Sequence, residues 1–159
     1  MVNNVLFTSN TEERYTPIDF FEEINKEFKF TLDPCATKEN HKCEKFYTKE
    51  EDWLKQNRDN EIVFCNPPYW KEIKKRVEKG SLARGGKVVM LLPARTDTKR
   101  FHDYIYKKSE IRFIKGRLKF WGAKNSAPFP SMLVIFRWIK QNEQKEKSRV
   151  WCPPLSQSL

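Results

Sequence analysis

Residues 61–70 run Glu61-Ile62-Val63-Phe64-Cys65-Asn66-Pro67-Pro68-Tyr69-Trp70, and the fold is decided by how this stretch is read. Ile62 to Cys65 form a continuous apolar run, which suits a strand buried on both faces of a parallel sheet. The strand stops at Asn66, because consecutive prolines remove backbone donors and fix the chain direction. A second such run, Lys87 to Ala94 (KVVMLLPA), follows the turn at Gly85-Gly86. Between the two lies a basic segment, 71–82, whose apolar residues Ile73 and Val77 recur at helical spacing. Strand, helix, strand predicts parallel neighbours.

Upstream, Thr16 is placed to cap a helix whose first residue is Pro17, with Phe21, Ile24 and Phe28 on its buried face. Phe28 to Ala36 (FKFTLDPCA) then alternates and predicts a strand ended by Asp33-Pro34, followed by a polar loop over 37–52 with a short helical piece. Downstream, a helix around Asp97 to Lys108 buries Phe101 and either Tyr104 or Ile105. Glu110–Gly122 and Ser131–Trp138 follow as two strands with no helix between them, joined by a loop containing Ala127-Pro128-Phe129-Pro130. The fold class is therefore α/β, an open, mostly parallel sheet with an antiparallel C-terminal edge. A single domain is expected over 1–139, residues 1–13 being a flexible arm and 140–159 a polar, flexible tail. Ligands of such sheets bind beyond the carboxyl ends of the strands, so Asp33-Pro34 and Asn66-Pro67 should share one crevice.

Composition narrows the function. A chain of 159 residues buries about 68–70% of its unfolded surface in one domain, and 14% aromatic content excludes a disordered polypeptide. No apolar run approaches the ~20 residues of a membrane span, and the N-terminus lacks the apolar core of a signal peptide; a soluble cytoplasmic protein with no membrane partner is expected. The net charge of +10 is uneven: residues 1–70 carry 9 Lys and Arg against 14 Asp and Glu, whereas 71–140 carry 19 against 5. Solvated helix faces explain any single lysine, but a 70-residue stretch at +14 suggests a surface for a polyanion, most simply nucleic acid. Cys35, Cys43, Cys65 and Cys152 follow no paired spacing, and zinc at Cys35, His41 and Cys43 would need an invented fourth ligand. No metal is expected.

Asn66-Pro67-Pro68-Tyr69 carries the sharpest chemistry. It can be an ordinary turn after a strand. It also suits a planar amino group whose lone pair is delocalised into a ring, a poor nucleophile. Two acceptors aimed at its two N–H bonds localise that lone pair and stabilise the positive charge that develops. The Asn66 side-chain oxygen and the Pro67 carbonyl can supply them, and Tyr69 can stack on the ring.

With these residues in place, the chain resembles the amino-methyltransferases that use S-adenosylmethionine, and more closely the small phage-type DNA adenine-N6 methyltransferases. The resemblance rests on RYTP, TLDPCA, CNPPYW, LLPARTDTKRFHD, IKGRLKFWG and APFPSMLVIF, in that order over roughly residues 14–137. It implies a Rossmann-like class I methyltransferase in the cytoplasm of a bacterial host. The reaction would move methyl from S-adenosylmethionine, leaving S-adenosylhomocysteine, to the exocyclic amine of a flipped adenine. Catalytic roles fall by that resemblance on Asn66, Pro67, Pro68 and Tyr69. Tyr15, Thr16 and Pro17 match the segment where a helix N-terminus and a hydroxyl meet the methionine carboxylate, their plain alternative being a helix cap. Asp33 is implied for the methionine ammonium, with Pro34, Cys35 and Ala36 allowing close approach, and Asn66 borders the same site. Asp52-Trp53 resembles the pair that recognises the cofactor's adenine, although a surface Asp beside a core Trp fits equally.

The glycine-rich turn common in larger methyltransferases is replaced by Asp33-Pro34-Cys35-Ala36, and the ribose-binding acid has four contenders, Glu39, Glu44, Glu50 and Glu51. DNA contacts are expected from Arg95, Lys99, Arg100, Arg117, Lys119 and Lys124. Trp70 is a further stacking or wedge residue or merely core, and Phe129 a wedge or a hydrophobic plug. No separate recognition domain fits, so loops would read the target, and a second copy or a partner subunit would be the other source of recognition. Two further readings stand beside this one: an RNA methyltransferase acting on guanine-N2 or adenine-N6, and a non-catalytic nucleic-acid-binding module of the same fold.

Overall fold

A computed structural model describes residues 14–69, 72–82 and 84–138 of the chain. Helix α1, Ile18–Phe28, turns Phe21, Ile24 and Phe28 onto the sheet and ends where Lys29 enters the left-handed region. The strands are β1 (Leu32–Asp33), β2 (Lys45–Phe46), β3 (Ile62–Cys65), β4 (Lys87–Pro93), β5 (Glu110–Phe113) and β6 (Ser131–Arg137). Helix α2, Ile73–Ser81, connects β3 to β4, and short 3-10 and π turns occupy Trp53–Lys55 and Phe101–Ile105. In space the sheet runs β2-β1-β3-β4-β6-β5. The first four strands are parallel, and β6 runs against both of its neighbours.

The α/β reading of the sequence therefore holds, with its antiparallel part on the C-terminal side of the sheet. The strand that reverses is the last one, inserted between β4 and β5 rather than lying outermost. Seven register pairs join it to β4, from Lys87 with Arg137 to Pro93 with Ser131. Val88 to Leu92 and Met132 to Phe136 are all buried, so this central pair is apolar on both faces. That explains why both runs lack alternation.

Several boundaries differ from the sequence expectation. The strand expected from Phe28 contracts to Leu32-Asp33, because Phe28 still belongs to α1 and Pro34 cannot continue the ladder. An unexpected strand, β2, pairs with β1 along a polar segment. The helix expected over Asp97–Lys108 is largely the π turn, with Phe101 and Ile105 inward. Strand β5 ends at Phe113, and the following residues form a long connection to Ser131. Thr16 makes no capping bond to α1, and Pro17 is the cap residue rather than the first helical one. The arm 1–13 and the tail from 140 lie outside the described residues, as does Trp70. No helix among the described residues is long and apolar enough to cross a membrane.

Two junctions hold the sheet's geometry. Arg112 on β5 forms a two-pronged pair with Glu27 of α1 at 2.6 and 2.7 Å, and Glu110 joins it and Arg137 of β6. At the same amino end of the strands, Gly86 lies so close to the Glu61 carbonyl that an added Cβ would strike backbone. Glu61 also accepts from Lys87 N–H there, aligning β3 with β4. Gly86→Ala is expected to destabilise the fold by about 3 kcal/mol, at the upper end of ordinary overpacking, as measured by urea unfolding.

Candidate active site

The carboxyl ends of β1, β2 and β3 open onto one cavity of about 820 Å³. Tyr15 and Thr16 contribute from the segment before α1, and Asp33, Pro34, Cys35 and Ala36 from the loop after β1. Asp52 and Trp53 close another side, while Asn66, Pro67 and Pro68 come from the end of β3. The single crevice expected from the sequence is thus present and holds most of the residues assigned to it. Pro17 and Tyr69 do not border it.

Asn66 is the junction of the site. Its Nδ2 donates to the Arg14 carbonyl at 2.6 Å and to Thr16 Oγ1 at 3.0 Å, and because a carbonyl can only accept, the Arg14 contact fixes which way the amide faces. Its Oδ1 is thereby fixed as an acceptor, and the Tyr69 hydroxyl donates a hydrogen bond to it at 3.0 Å. Here the buried Thr16 meets the polar amide instead of capping a helix. Tyr69 is buried, and burial pushes its phenol well above the usual range, which keeps it a donor. Its ring packs at steep angles against Phe120 and Phe129.

Phe129 consequently occupies the plug position and not that of an exposed wedge: it is 9% exposed, with the Arg14 guanidinium 5.1 Å above its ring. Arg14 had no assigned role from sequence beyond its place in RYTP, yet its carbonyl holds Asn66 and its side chain covers Phe120 and Phe129. A backbone carbonyl leaves no trace in side-chain patterning. Tyr15 is bridged antiparallel to Trp121, whose N–H donates to the Tyr15 carbonyl at 2.9 Å.

The Asp33 carboxylate organises the loop after β1, accepting from Cys35 N–H at 3.2 Å and Lys42 N–H at 3.0 Å. Burial pushes its carboxyl up to about 6, against the pull of those two donors. Cys35 Sγ lies 3.4 Å from Cys65 Sγ and 3.4 Å from a guanidinium nitrogen of Arg76, a cavity residue not singled out in the sequence. Asp52 has left-handed backbone and caps the following turn through Leu54 N–H. Trp53 is 1% exposed, with the side chains of Arg58 and Lys79 over its ring, so it is core as well as cavity wall. Of the four acidic contenders, Glu39 and Glu50 border the cavity, and Glu44 and Glu51 do not. His41 and Cys43 contact one another through the imidazole and the Cys43 carbonyl, at 2.9 Å. Among the described residues no His, Cys, Asp and Glu gather in a metal-binding group.

Strands β4 and β5 end at the same side as β3, so residues 94–100 and 114–130 emerge beside the cavity. The second stretch carries Lys115, Arg117, Lys119 and Lys124 with no Asp or Glu. Arg95, Lys99, Arg117, Lys119 and Lys124 are exposed, and Arg100 is half-buried. None of these six takes part in an ion pair among the described residues, in contrast to Arg112 and Arg137.

An α/β sheet with an Asn-Pro-Pro-Tyr corner at its carboxyl-end cavity and an unpaired cationic rim points to a class, the methyltransferases. A family model described as DNA N-6-adenine-methyltransferase (Dam) matches residues 6–156, and the chain belongs to that family. It is 36% identical over 94 residues to the DNA N-6-adenine-methyltransferase of Escherichia phage T1, covering 57% of this chain but 39% of that protein. It is 29% identical over 138 residues to the protein of the same description from Haemophilus phage HP1, covering 75% of this chain and 80% of that one. No solved structure matches.

The cavity also orders the thiols. Cys43 and Cys65 are buried and burial pushes both thiols up, the first to about 12, whereas Cys35 is half-buried on the cavity wall. Peptide mapping after brief iodoacetamide treatment of the folded protein should find Cys35 alkylated ahead of Cys43 and Cys65.

Proposed function

We propose that the protein is a DNA adenine-N6 methyltransferase of Rossmann-like class I architecture, taking its methyl group from S-adenosylmethionine and acting on the exocyclic amine of a flipped adenine. The observation that carries this reading is the fixed Asn66 amide. Its nitrogen is held by two acceptors and its oxygen retains a second lone pair, with the Pro67 carbonyl next along the chain. Those two oxygens can receive the two N–H bonds of an aromatic amine, turn its lone pair out of conjugation and stabilise the charge it acquires. Pro68 stiffens the corner. Tyr69 both fixes the Asn66 oxygen and supplies a ring for the base to stack on, once Phe129 and its loop give way.

The cavity suits the cofactor on its own terms. It is large enough, and the buried Asp33 carboxylate has backbone N–H donors but no ion-pair partner among the described residues. A cationic donor would supply one. S-adenosylmethionine, when bound, contributes an electrophilic methyl on a sulfonium. Asp33 would hold its ammonium, Cys35 and Ala36 would allow close approach, and Tyr15 and Thr16 would border the methionine end. Asp52 and Trp53 would take the adenine of the cofactor, with Glu39 or Glu50 at the ribose. After transfer, the cationic amine can lose its proton to water.

Arg95, Lys99, Arg100, Arg117, Lys119 and Lys124 would hold the DNA backbone, whose contacts offset the few kcal/mol needed to extrude a base. Labelled methyl transfer to DNA lacking N6-methyladenine tests the whole reading. Asn66→Ala should lower kcat by about 10²–10³-fold while calorimetric S-adenosylmethionine binding persists. If wild-type protein that binds S-adenosylmethionine transfers no label to DNA at any salt concentration, the proposal fails.

Two further outcomes follow from the charges. The donor's ammonium pairs with ionised Asp33, whose carboxyl burial raises to about 6, so binding should be level above that pH. Below it, affinity should fall about tenfold per pH unit as the carboxyl protonates. Asp33→Asn should give a weak, flat profile in calorimetry between pH 5 and pH 8, a range chosen to bracket about 6. The double variant Lys119→Ala, Lys124→Ala should raise the KM for DNA and reduce the salt slope by about one per lost phosphate contact, with S-adenosylmethionine affinity unchanged.

A further inference from the structure

Arg76 is a cation whose partners do not match its burial. Its side chain is 12% exposed, as is that of Arg112. Arg112 spends all three guanidinium nitrogens on two carboxylates at 2.6–2.7 Å. Arg76 has a thiol at 3.4 Å, the half-exposed Glu72 of the same cavity wall at 3.6 Å, and a buried Nε with no partner. A thiol is a weak acceptor, and a buried guanidinium left this loosely paired is costly. The other basic residues of the cavity wall differ in setting. Lys38 and Lys49 are exposed, Lys42 is half-buried with its backbone N–H already on Asp33, and Arg14 lies over Phe120 and Phe129.

The position of Arg76 relative to Asp33 supplies the second half of the argument. Asp33 accepts from the Cys35 backbone, and Arg76 reaches the Cys35 side chain, so opposite charges stand on either side of one residue. They do not form an ion pair with each other among the described salt bridges. Both line the same cavity. A group carrying an ammonium and a carboxylate on one carbon would complete both poles at once.

We infer that Arg76 binds the α-carboxylate of the donor's methionine moiety, forming with Asp33 a two-pole clamp across Cys35; this rests on the proposed use of S-adenosylmethionine. The α1 N-terminus is then secondary for that carboxylate. Pro17 is absent from the cavity wall, and Asp19 adds negative charge to the first turn. Guanidinium suits the task because it presents parallel N–H donors to a carboxylate.

Calorimetry on the full chain, with S-adenosylmethionine and with decarboxylated S-adenosylmethionine, separates this role from packing. The wild type should bind the carboxylate-bearing form about 10–100-fold more tightly, the range of a hydrogen bond to a charged group. Arg76→Ala should lose most of that difference, weakening the carboxylate form while leaving the decarboxylated form within about twofold. Arg76→Lys should recover part of the preference, which also guards against misfolding of the alanine variant. An equal loss for both ligands in Arg76→Ala and Arg76→Lys would make Arg76 a packing residue and overturn the inference. Unchanged cofactor binding with weakened DNA binding would overturn it too. Wild-type protein that binds neither ligand would instead remove the donor reading itself, and this assignment with it.

Discussion

The amide of Asn66 ties together three parts of the chain that are distant in sequence. Its two donated bonds reach back some fifty residues to Arg14 and Thr16, and its oxygen receives Tyr69. The segment before α1, the end of β3 and the aromatic layer under the 114–130 connection are held in register through one planar group. An aspartate could accept from Tyr69 but could not donate to Arg14 and Thr16. Asparagine at the head of this motif is therefore matched to the neighbours it has here, and its orientation is a consequence of tertiary structure.

The sheet separates two electrostatic tasks. Parallel strands β2, β1 and β3 deliver a cavity whose deepest charge is the carboxylate of Asp33, while β4, β6 and β5 carry a connection rich in lysine and arginine to the same side. Paired cations stay away from that rim: Arg112 and Arg137 are bound to Glu27 and Glu110, where they fasten the sheet to α1. What distinguishes the two sets is the presence of carboxylate partners, a property no count of lysines reveals.

How far the sequence discloses this arrangement depends on burial. Ile62–Cys65 and Val88–Leu92 are legible because strands covered on both faces must be apolar throughout, and α2 because its inward residues repeat. Strand β2 is not legible: Lys45 and Phe46 become a strand only because β1 lies beside them. The same holds for Thr16, whose preference for capping loses to a buried amide that local sequence does not show. In the site, Asp33 and Asn66 stand out by their place after apolar runs. Arg14 and Arg76 do not, since one acts through its carbonyl and the other looks like any basic residue on an amphipathic helix. Phe129 reads from sequence as wedge or plug alike, and its packing against Tyr69 and Arg14 is visible only in three dimensions.

The insertion of β6 between β4 and β5 has a consequence for how such a protein can change. The connection 114–130 leaves one strand and returns in its immediate neighbour, so its two ends are anchored roughly one strand spacing, about 4.8 Å, apart. Closure entropy grows slowly with length, about 0.6 kcal/mol per doubling. Within it, Phe120, Ala127 and Phe129 are the residues committed to the interior beyond Ile114 at its root. The remainder can be lengthened, shortened or exchanged as a cassette while the Asn66 corner and its cavity stay intact. Under the proposed function, target preference and catalytic chemistry would evolve on separate clocks.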